Sequence, residues 1–205
     1  MKKIIAAVLL TAGTTTAFAQ SDDRRKGFIG ISLGAPIPVG EFSSPDPKES
    51  DGGAGGGLHI NLINFGYRFS DKVGIAGKYF SGANVLKVNN IVDNNYKPWA
   101  YGGMLIGPMV AIPLSEKVEL DFRPMFGFSV AQLPVHKNAG VTINSNGGFA
   151  YSLGTNVQFN VASRFGIHAM LDYFHTKATF KIAGESFSQN ISTITPSVGF
   201  VYRFN

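Results

Sequence analysis

Apolar and polar residues alternate one by one along the last segment of the chain, 191–204. One face of this segment carries Ile194, Pro196, Val198, Phe200, Tyr202 and Phe204. The other face carries small and polar residues and ends with Arg203. Alternation with a period of two residues predicts a β-strand whose two faces meet unlike surroundings.

The same alternation recurs upstream and predicts eight strands in all. They cover residues 28–35, 58–69, 73–82, 99–112, 118–130, 149–161, 165–173 and 191–204. The phase slips between Leu62 and Ile63, which predicts a β-bulge in the second strand. Pro108 removes a hydrogen-bond donor from the fourth strand and predicts a local irregularity there.

Long and short connections alternate between the predicted strands. The polar segments 36–56, 83–98, 131–147 and 175–190 are predicted to be long loops, whereas 70–72, 114–117 and 162–164 are predicted to be tight turns. The glycine-rich run 52–57 is not a phosphate-binding loop, because no Lys-Ser/Thr pair and no helical pattern follow it. It is interpreted as a flexible hinge of the first loop. This arrangement predicts an all-β fold, an eight-stranded antiparallel up-and-down transmembrane β-barrel.

The beginning of the chain has the features of an export signal. Lys2 and Lys3 precede a short apolar run, and small residues ending in Ala17-Phe18-Ala19 follow that run. This order predicts a cleaved signal peptide over residues 1–19. An N-terminal tether at 20–26 and a barrel domain at 27–205 would then form the mature protein.

Composition narrows the possible functions. The chain contains no cysteine, so it has no disulfide, no cysteine metal site and no thiol nucleophile. Its formal net charge is +5 and its basic residues are scattered, so nucleic acid is not an expected partner. No cofactor and no metal are expected.

Four stretches carry a resemblance to a known family. They are Gly-Phe-Ile-Gly-Ile-Ser-Leu-Gly at 27–34, Phe-Gly-Tyr-Arg-Phe-Ser-Asp-Lys at 65–72, Ile-Gly-Pro-Met-Val-Ala-Ile-Pro-Leu-Ser-Glu-Lys at 106–117 and Val-Gly-Phe-Val-Tyr-Arg-Phe at 198–204. Nearly the whole mature chain resembles the small eight-stranded OmpA/OmpX-like outer-membrane β-barrel family. The resemblance implies localisation in the outer membrane, contact with its lipid, and insertion by the barrel-assembly machinery. The family includes structural anchors, adhesins and lipid-modifying enzymes.

Charged residues recur on the predicted inner face. They are Arg68, Lys78, Glu119, Asp121, Arg123, His168, Asp172 and Arg203. Side chains fill the lumen of an eight-stranded barrel, which excludes a wide porin channel. Because buried charges must be paired, this set favours a structural ion-pair network, and a narrow gated ion path is the alternative.

No catalytic set can be assembled from the sequence. His168 and Asp172 lie about 13 Å apart along one strand face, too far for a hydrogen bond. Ser129 and Ser152 are predicted to face inward, whereas a lipid-modifying enzyme would need a group at the outer rim. His175, near the outer end of the seventh strand, is the histidine to test, and His59 is a weaker second.

Aromatic residues near strand ends are expected to mark the membrane interfaces. Those on the outer face are Tyr151, Tyr173, Tyr202 and Phe204. Trp99 and Tyr101 have the phase of the inner face. Packing against a loop therefore explains their position better than contact with the membrane interface does.

The expected function is non-enzymatic: a structural or surface-interaction role in the outer membrane. The four loops would be extracellular and could contact an external partner. One alternative is an outer-membrane lipid-modifying enzyme of the lipid A deacylase or acyltransferase type. A less favoured alternative is a soluble, lipocalin-like periplasmic binder.

Overall fold

Eight long strands make up most of the structure, a computed structural model that describes residues 25–44, 52–88 and 90–205. The strands are β1 (Gly27–Gly34), β2 (Ala54–Arg68), β3 (Val73–Val88), β4 (Trp99–Pro113), β5 (Val118–Gln132), β6 (Gly148–Asn160), β7 (Phe165–Ile182) and β8 (Glu185–Phe204). The predicted signal peptide and residues 20–24 of the tether lie outside the described residues. Within the described part, no helix is long and apolar enough to cross a membrane.

Shorter elements lie in the connections. Two-residue strands occur at Ile37–Pro38 and Ile91–Val92, and short 3-10 helices occur at Gly40–Ser43 and Lys137–Ala139. Ile37–Pro38 pairs with β8, and Ile91–Val92 pairs with the end of β3. These short strands add local pairings near one end of the long strands and do not change the order of the long strands.

The sheet closes on itself. Each long strand pairs antiparallel with the next one, and β1 also pairs with β8, from Gly27 opposite Phe204 to Gly34 opposite Ser197. Closure leaves no unpaired edge through the middle of the sheet, as a chain surrounded by hydrocarbon requires. The predicted eight-stranded up-and-down barrel is confirmed.

The two faces of the barrel wall differ as the alternation predicts. Large apolar side chains point outward and are exposed, as Phe126 at 55% and Phe200 at 68% illustrate. Polar and charged side chains point inward and are buried, with Arg123 and Asp121 both at 1%. This arrangement is the reverse of a soluble barrel, which buries its apolar face.

The two irregularities predicted within strands are both present. The pairing of β2 with β3 shifts register between Asn61 and Ile63, which confirms the bulge at Leu62. Around Pro108 the pairing of β4 with β5 is interrupted between Ile106 and Val110. The register is the same on both sides of this gap, so the proline interrupts the pairing without displacing the strand.

In the described part of the first predicted loop, residues 36–44 and 52–56, the chain is more ordered than the sequence suggested. Its glycine-rich run is not a flexible hinge, because β2 begins at Ala54 and takes in Gly57. A Cβ at Gly57 would lie 1.8 Å from the carbonyl oxygen of Ala83. Glycine is therefore needed here for close approach of two backbones rather than for mobility. The side chain of Phe42, in the same connection, is fully buried.

The fourth predicted loop, 175–190, is instead a β-hairpin. Strand β7 continues to Ile182, β8 begins at Glu185, and only Ala183 and Gly184 join them. Both turn residues have positive φ, 52° and 95°, as a two-residue hairpin turn with the twist of the flanking strands requires. The second predicted loop, 83–98, is also shortened, since β3 continues to Val88.

The three predicted short turns are present at the opposite end. Backbone hydrogen bonds of 2.9 to 3.1 Å join Phe69 to Val73, Leu114 to Val118 and Val161 to Phe165. We refer to this end, which also holds both ends of the barrel domain, as the turn end. The opposite end, with the longer connections and the β7–β8 hairpin, is the loop end.

Candidate functional site

The barrel interior gathers the charged residues singled out in the sequence. All eight are at most 8% exposed: Arg68, Lys78, Glu119, Asp121, Arg123, His168, Asp172 and Arg203. They come from strands β2, β3, β5, β7 and β8, which direct alternate side chains inward. The contacts between them define three groups along the barrel.

The middle group is centred on Arg123. Its guanidinium makes a two-fold contact with the Asp121 carboxylate, through Nε and through Nη2, the latter at 2.8 Å. The Nη1 atom donates to Asn64 Oδ1 at 2.7 Å, and Asn156 Nδ2 donates to Asp121 Oδ2 at 2.7 Å. The guanidinium also lies 4.9 Å from the centre of the Phe28 ring. These contacts hold both charges in fixed positions.

A second ion pair lies nearer the loop end, between Lys78 and Asp172. The Lys78 ammonium also lies 5.1 Å from the centre of the Phe80 ring. His168 has a different partner, because its Nδ1 atom lies 3.2 Å from Asn64 Nδ2. His168 and Asp172 therefore belong to separate groups.

The third group lies at the turn end. Arg68 forms an ion pair with Glu119 at 2.9 Å and donates from Nη2 to the carbonyl oxygen of Arg25 at 2.6 Å. Arg203 lies within electrostatic reach of Glu119, Arg68 and Arg25. This end of the interior therefore carries an excess of positive charge.

Aromatic side chains occupy the interior near the loop end. We call this cluster the aromatic plug, and it consists of Phe42, Phe80, Trp99, Tyr101, Phe174 and Phe180. All six are at most 4% exposed. The plug and the three charged groups place buried side chains at successive levels of the described interior, as expected for a barrel of this strand number.

Phe42 joins the first connection to the aromatic plug. Its ring lies 5.6 Å from Trp99 and 6.3 Å from Tyr101, in edge-on arrangements. Trp99 Nε1 donates to the carbonyl oxygen of Gly52 at 2.7 Å, and Tyr101 Oη donates to Asn84 Oδ1 at 2.9 Å. Packing against a loop therefore explains why these two aromatic residues face inward.

The predicted interface aromatics lie on the outer face at two levels. Towards the loop end, the rings of Tyr151 and Tyr173 are 6.2 Å apart. At the turn end, Tyr202 lies 5.5 Å from Phe165 and Phe204 lies 6.5 Å from Phe65. The apolar outer surface lies between these two levels.

The two histidines considered for catalysis lie in different environments. His59 is 3% exposed and faces the interior, where it stacks on Phe80 at 5.5 Å, so no lipid can reach it. His175 lies on the outer face, 5.1 Å from the Tyr151 ring, and its Nδ1 atom is 2.8 Å from Ser192 Oγ. The sequence did not point to this pair, because the seventh strand was predicted to end at residue 173 and His175 therefore had no predicted partner on the last strand.

Several interior residues were also missed because they carry no charge. Asn64 contacts Arg123 and lies beside His168, and Asn61 donates to Ser32 Oγ at 2.8 Å. The phase of β2 after its bulge was the available signal, since it places Asn64 inward. Among the described residues, no group of three or more His, Cys, Asp or Glu side chains could hold a metal ion.

A closed barrel with an apolar outer face, aromatic levels and a packed polar interior defines the class of small transmembrane β-barrels. The sequence matches the family model described as outer membrane protein beta-barrel domain over residues 5–204. The chain belongs to this family and is an outer-membrane protein. This confirms the resemblance inferred from the sequence and leaves no support for a soluble lipocalin-like binder.

Several solved structures share this fold. The chain is similar to Neisserial surface protein A, NspA, with a TM-score of 0.59 and 13% identity over 87% of this chain and 96% of that chain. It is similar to OprG from Pseudomonas aeruginosa, with a TM-score of 0.58 and 13% identity over 89% and 97% of the two chains.

A third similar structure is Ail, the attachment invasion locus protein of Yersinia pestis, in complex with the heparin analogue sucrose octasulfate. Its TM-score is 0.51, with 20% identity over 87% of this chain and 99% of that chain. Identities of this size establish the fold alone. A comparison with curated proteins found no match.

Proposed function

We propose that the protein is a non-enzymatic surface-interaction protein whose loop end is extracellular and contacts an external polyanion. The packed interior leaves the outer surface as the place for function. The observation that carries the proposal is the β7–β8 hairpin, which continues well past the aromatic level on the outer face. At ~3.3 Å per residue, β7 extends roughly 30 Å of strand beyond Tyr173.

The hairpin is built as a rigid projection. Its inner face remains buried, with Ala178 at 3% and Phe180 at 0% exposure, and Phe180 stacks on Phe187 at 5.4 Å. The carboxylate of Glu41 in the first connection accepts a hydrogen bond from Asn190 Nδ2 at 2.7 Å. This contact stabilises the β8 side of the hairpin. An ordered surface of this kind loses little conformational entropy when it binds a partner.

The outer face of the hairpin is polar and cationic. Lys177 and Lys181 are exposed there, and hydroxyl-bearing residues such as Thr179 and Ser188 lie between and opposite them. Lysine ammonium groups beside hydroxyl groups suit sulfate or phosphate groups of a polysaccharide. Ail, which has the same fold, binds a sulfated heparin analogue in its solved complex, and this makes sucrose octasulfate a suitable probe.

The proposal is tested by titrating sucrose octasulfate into the barrel embedded in lipid nanodiscs. The double variant Lys177→Gln/Lys181→Gln removes both hairpin charges and should weaken binding by about tenfold or more. The matched control, Lys72→Gln/Lys117→Gln, removes two exposed lysines from the short turns and should bind as the unchanged protein does. Equal weakening in both variants would reject the hairpin as the binding site, and no binding by the unchanged protein would reject a polyanion as the partner.

A membrane-embedded lipid-modifying enzyme is the second candidate, and the pair His175 and Ser192 favours it. The two side chains lie opposite each other on β7 and β8, 2.8 Å apart and beside an interface tyrosine. A serine hydroxyl within reach of a histidine can attack an acyl ester once the imidazole takes its proton. Glu41 exerts an electrostatic effect on the same histidine.

Mass analysis of lipid A distinguishes the two candidates. Cells that produce the protein should contain unaltered lipid A if the protein is non-enzymatic. Loss of one acyl chain that is abolished by Ser192→Ala, and retained in the neighbouring control Ser188→Ala, would establish the enzyme instead.

A further inference from the structure

A groove of about 520 Å³ crosses the outer wall of the barrel over β3, β4 and β5. Its floor is formed by Ala100 and Gly102 of β4. Tyr79 and Ser81 form one side, and Val130, beside Phe128, forms the other. The groove lies in the half of the wall nearer the loop end.

The sequence of β4 explains why the wall is hollow here. Beyond Met104, the next two outward positions towards the loop end carry the small residues Gly102 and Ala100. A Cβ at Gly102 would lie 2.8 Å from the carbonyl oxygen of Phe80 on the neighbouring strand, so the close approach of the strands keeps this position a glycine. The flanking side chains remain large, as Phe128 shows at 61% exposure.

The surroundings decide what fills the groove. The outer wall of an outer-membrane barrel faces lipid, and an unfilled hollow there would lose the dispersion contacts of its lining. Its lining is mainly apolar, with Met104 and Val130 half exposed on either side of the floor. A flexible hydrocarbon chain therefore fits the groove better than water does.

The upper rim of the groove is polar. Gln132 and Asn144 border it on the side of the loop end, beyond the Ser81 hydroxyl on the side of the groove. Further towards that end lies Lys97, whose Nζ donates to the Val141 carbonyl oxygen at 3.2 Å. Hydroxyl, amide and ammonium groups above an apolar groove match an acylated, phosphorylated head group.

We propose that this groove binds one acyl chain of lipid A, with the head group of the lipopolysaccharide at the polar rim. The inference rests on the proposed extracellular orientation of the loop end, which places the groove in the outer leaflet. Phospholipid of the inner leaflet would reach the opposite half of the wall. The groove would thus bind one lipid molecule at a fixed position, whereas the rest of the outer wall contacts lipid without a fixed site.

Native mass spectrometry of the detergent-solubilised barrel tests the proposal, with purified lipid A or phosphatidylethanolamine added at equal concentration. The unchanged protein should retain one lipid A molecule in preference to phosphatidylethanolamine. Ala100→Phe fills the floor of the groove and should lower retention of lipid A by about tenfold, since several methylene groups lose their contacts.

The matched control is Ala169→Phe, which adds the same ring to an exposed outer position on β7 and should leave retention unchanged. A difference in gel mobility between boiled and unboiled samples shows that each variant is folded. If Ala100→Phe does not fold, Ser81→Leu fills the groove from its side. Equal retention of the two lipids, or equal retention by the groove and control variants, would overturn the proposal while leaving the polyanion titration unaffected.

Discussion

Each buried ion pair in the interior joins side chains that are almost fully removed from water. Lys78 is 3% exposed and Asp172 is 4% exposed. Desolvation of two such charges consumes most of their mutual attraction, so the intact pair contributes little net stability. Removal of one partner is different, because the other charge is then left buried without compensation.

This asymmetry gives a prediction for single and double variants. Lys78→Met and Asp172→Leu should each lower the free energy of unfolding by about 3–5 kcal/mol. The double variant should lose much less than the sum of the two, because no uncompensated charge remains. Urea unfolding of the barrel in lipid vesicles measures all three values. Additive losses would show that the two side chains do not act as a pair.

Phe42 should hold the first connection in the aromatic plug, and the chain carries its own reporter for this contact. Trp99 is the single tryptophan, it is 4% exposed, and its ring lies 5.6 Å from that of Phe42. In Phe42→Ala the indole should meet water, so its emission should move to longer wavelength and become accessible to iodide.

A control variant separates this effect from a general loss of packing. Phe128→Ala removes a ring from the outer wall, and Phe128 is 61% exposed. Its tryptophan emission should match that of the unchanged protein. An unshifted spectrum in Phe42→Ala would mean that the first connection does not depend on this side chain.

At the level of single strands, the alternation of residues predicted the fold well within the membrane and poorly beyond it. Inside the apolar slab, outward residues such as Leu171 must be hydrophobic, so the contrast with inward Asp172 is strong. Beyond Tyr173 the outward face meets water and carries Lys177 and Lys181. The inward Phe174, Ala178 and Phe180 continue the apolar pattern there, but the polar inward Thr176 interrupts it, and the segment resembled a loop.

The turn of this hairpin contains a residue in an unfavourable conformation. Ala183 has a φ of 52°, in the left-handed region that costs an ordinary residue about 1–2 kcal/mol. Asparagine adopts this region more readily. Ala183→Asn should therefore stabilise the hairpin by about 1 kcal/mol and slow amide hydrogen exchange over residues 177–182.

The control for this prediction is Ala162→Asn, in a short turn at the opposite end. Ala162 is not among the described non-glycine residues with positive φ, so asparagine has no conformational advantage there. Exchange over 177–182 should be unchanged in this variant. Faster exchange in Ala183→Asn would show that the turn does not limit opening of the hairpin.

At the level of the whole molecule, closure of the barrel sets the contacts that the sequence could not predict. The inward phase of Lys78 and Asp172 follows from alternation, but they are 94 positions apart in the chain. Which inward residues meet depends on the stagger of eight paired strands, and a bulge such as that at Leu62 alters it. The charged set could therefore be predicted, whereas its pairing could not.

The orientation of the barrel is the whole-molecule property on which both proposals depend, and the absence of cysteine makes it directly measurable. Ser186→Cys places one thiol at the exposed tip of the β7–β8 hairpin, and Glu116→Cys places one in an exposed short turn. Intact cells treated with a membrane-impermeant maleimide should label Ser186→Cys alone, because the reagent does not reach the periplasm.

Labelling after cell lysis provides the control, since both variants should then react to a similar extent. The reverse pattern in intact cells, with Glu116→Cys labelled and Ser186→Cys protected, would place the hairpin in the periplasm. The cationic hairpin would then face no external polyanion, and the groove would lie in the inner leaflet beside phospholipid. A single labelling experiment thus decides the side of the membrane on which the long hairpin acts.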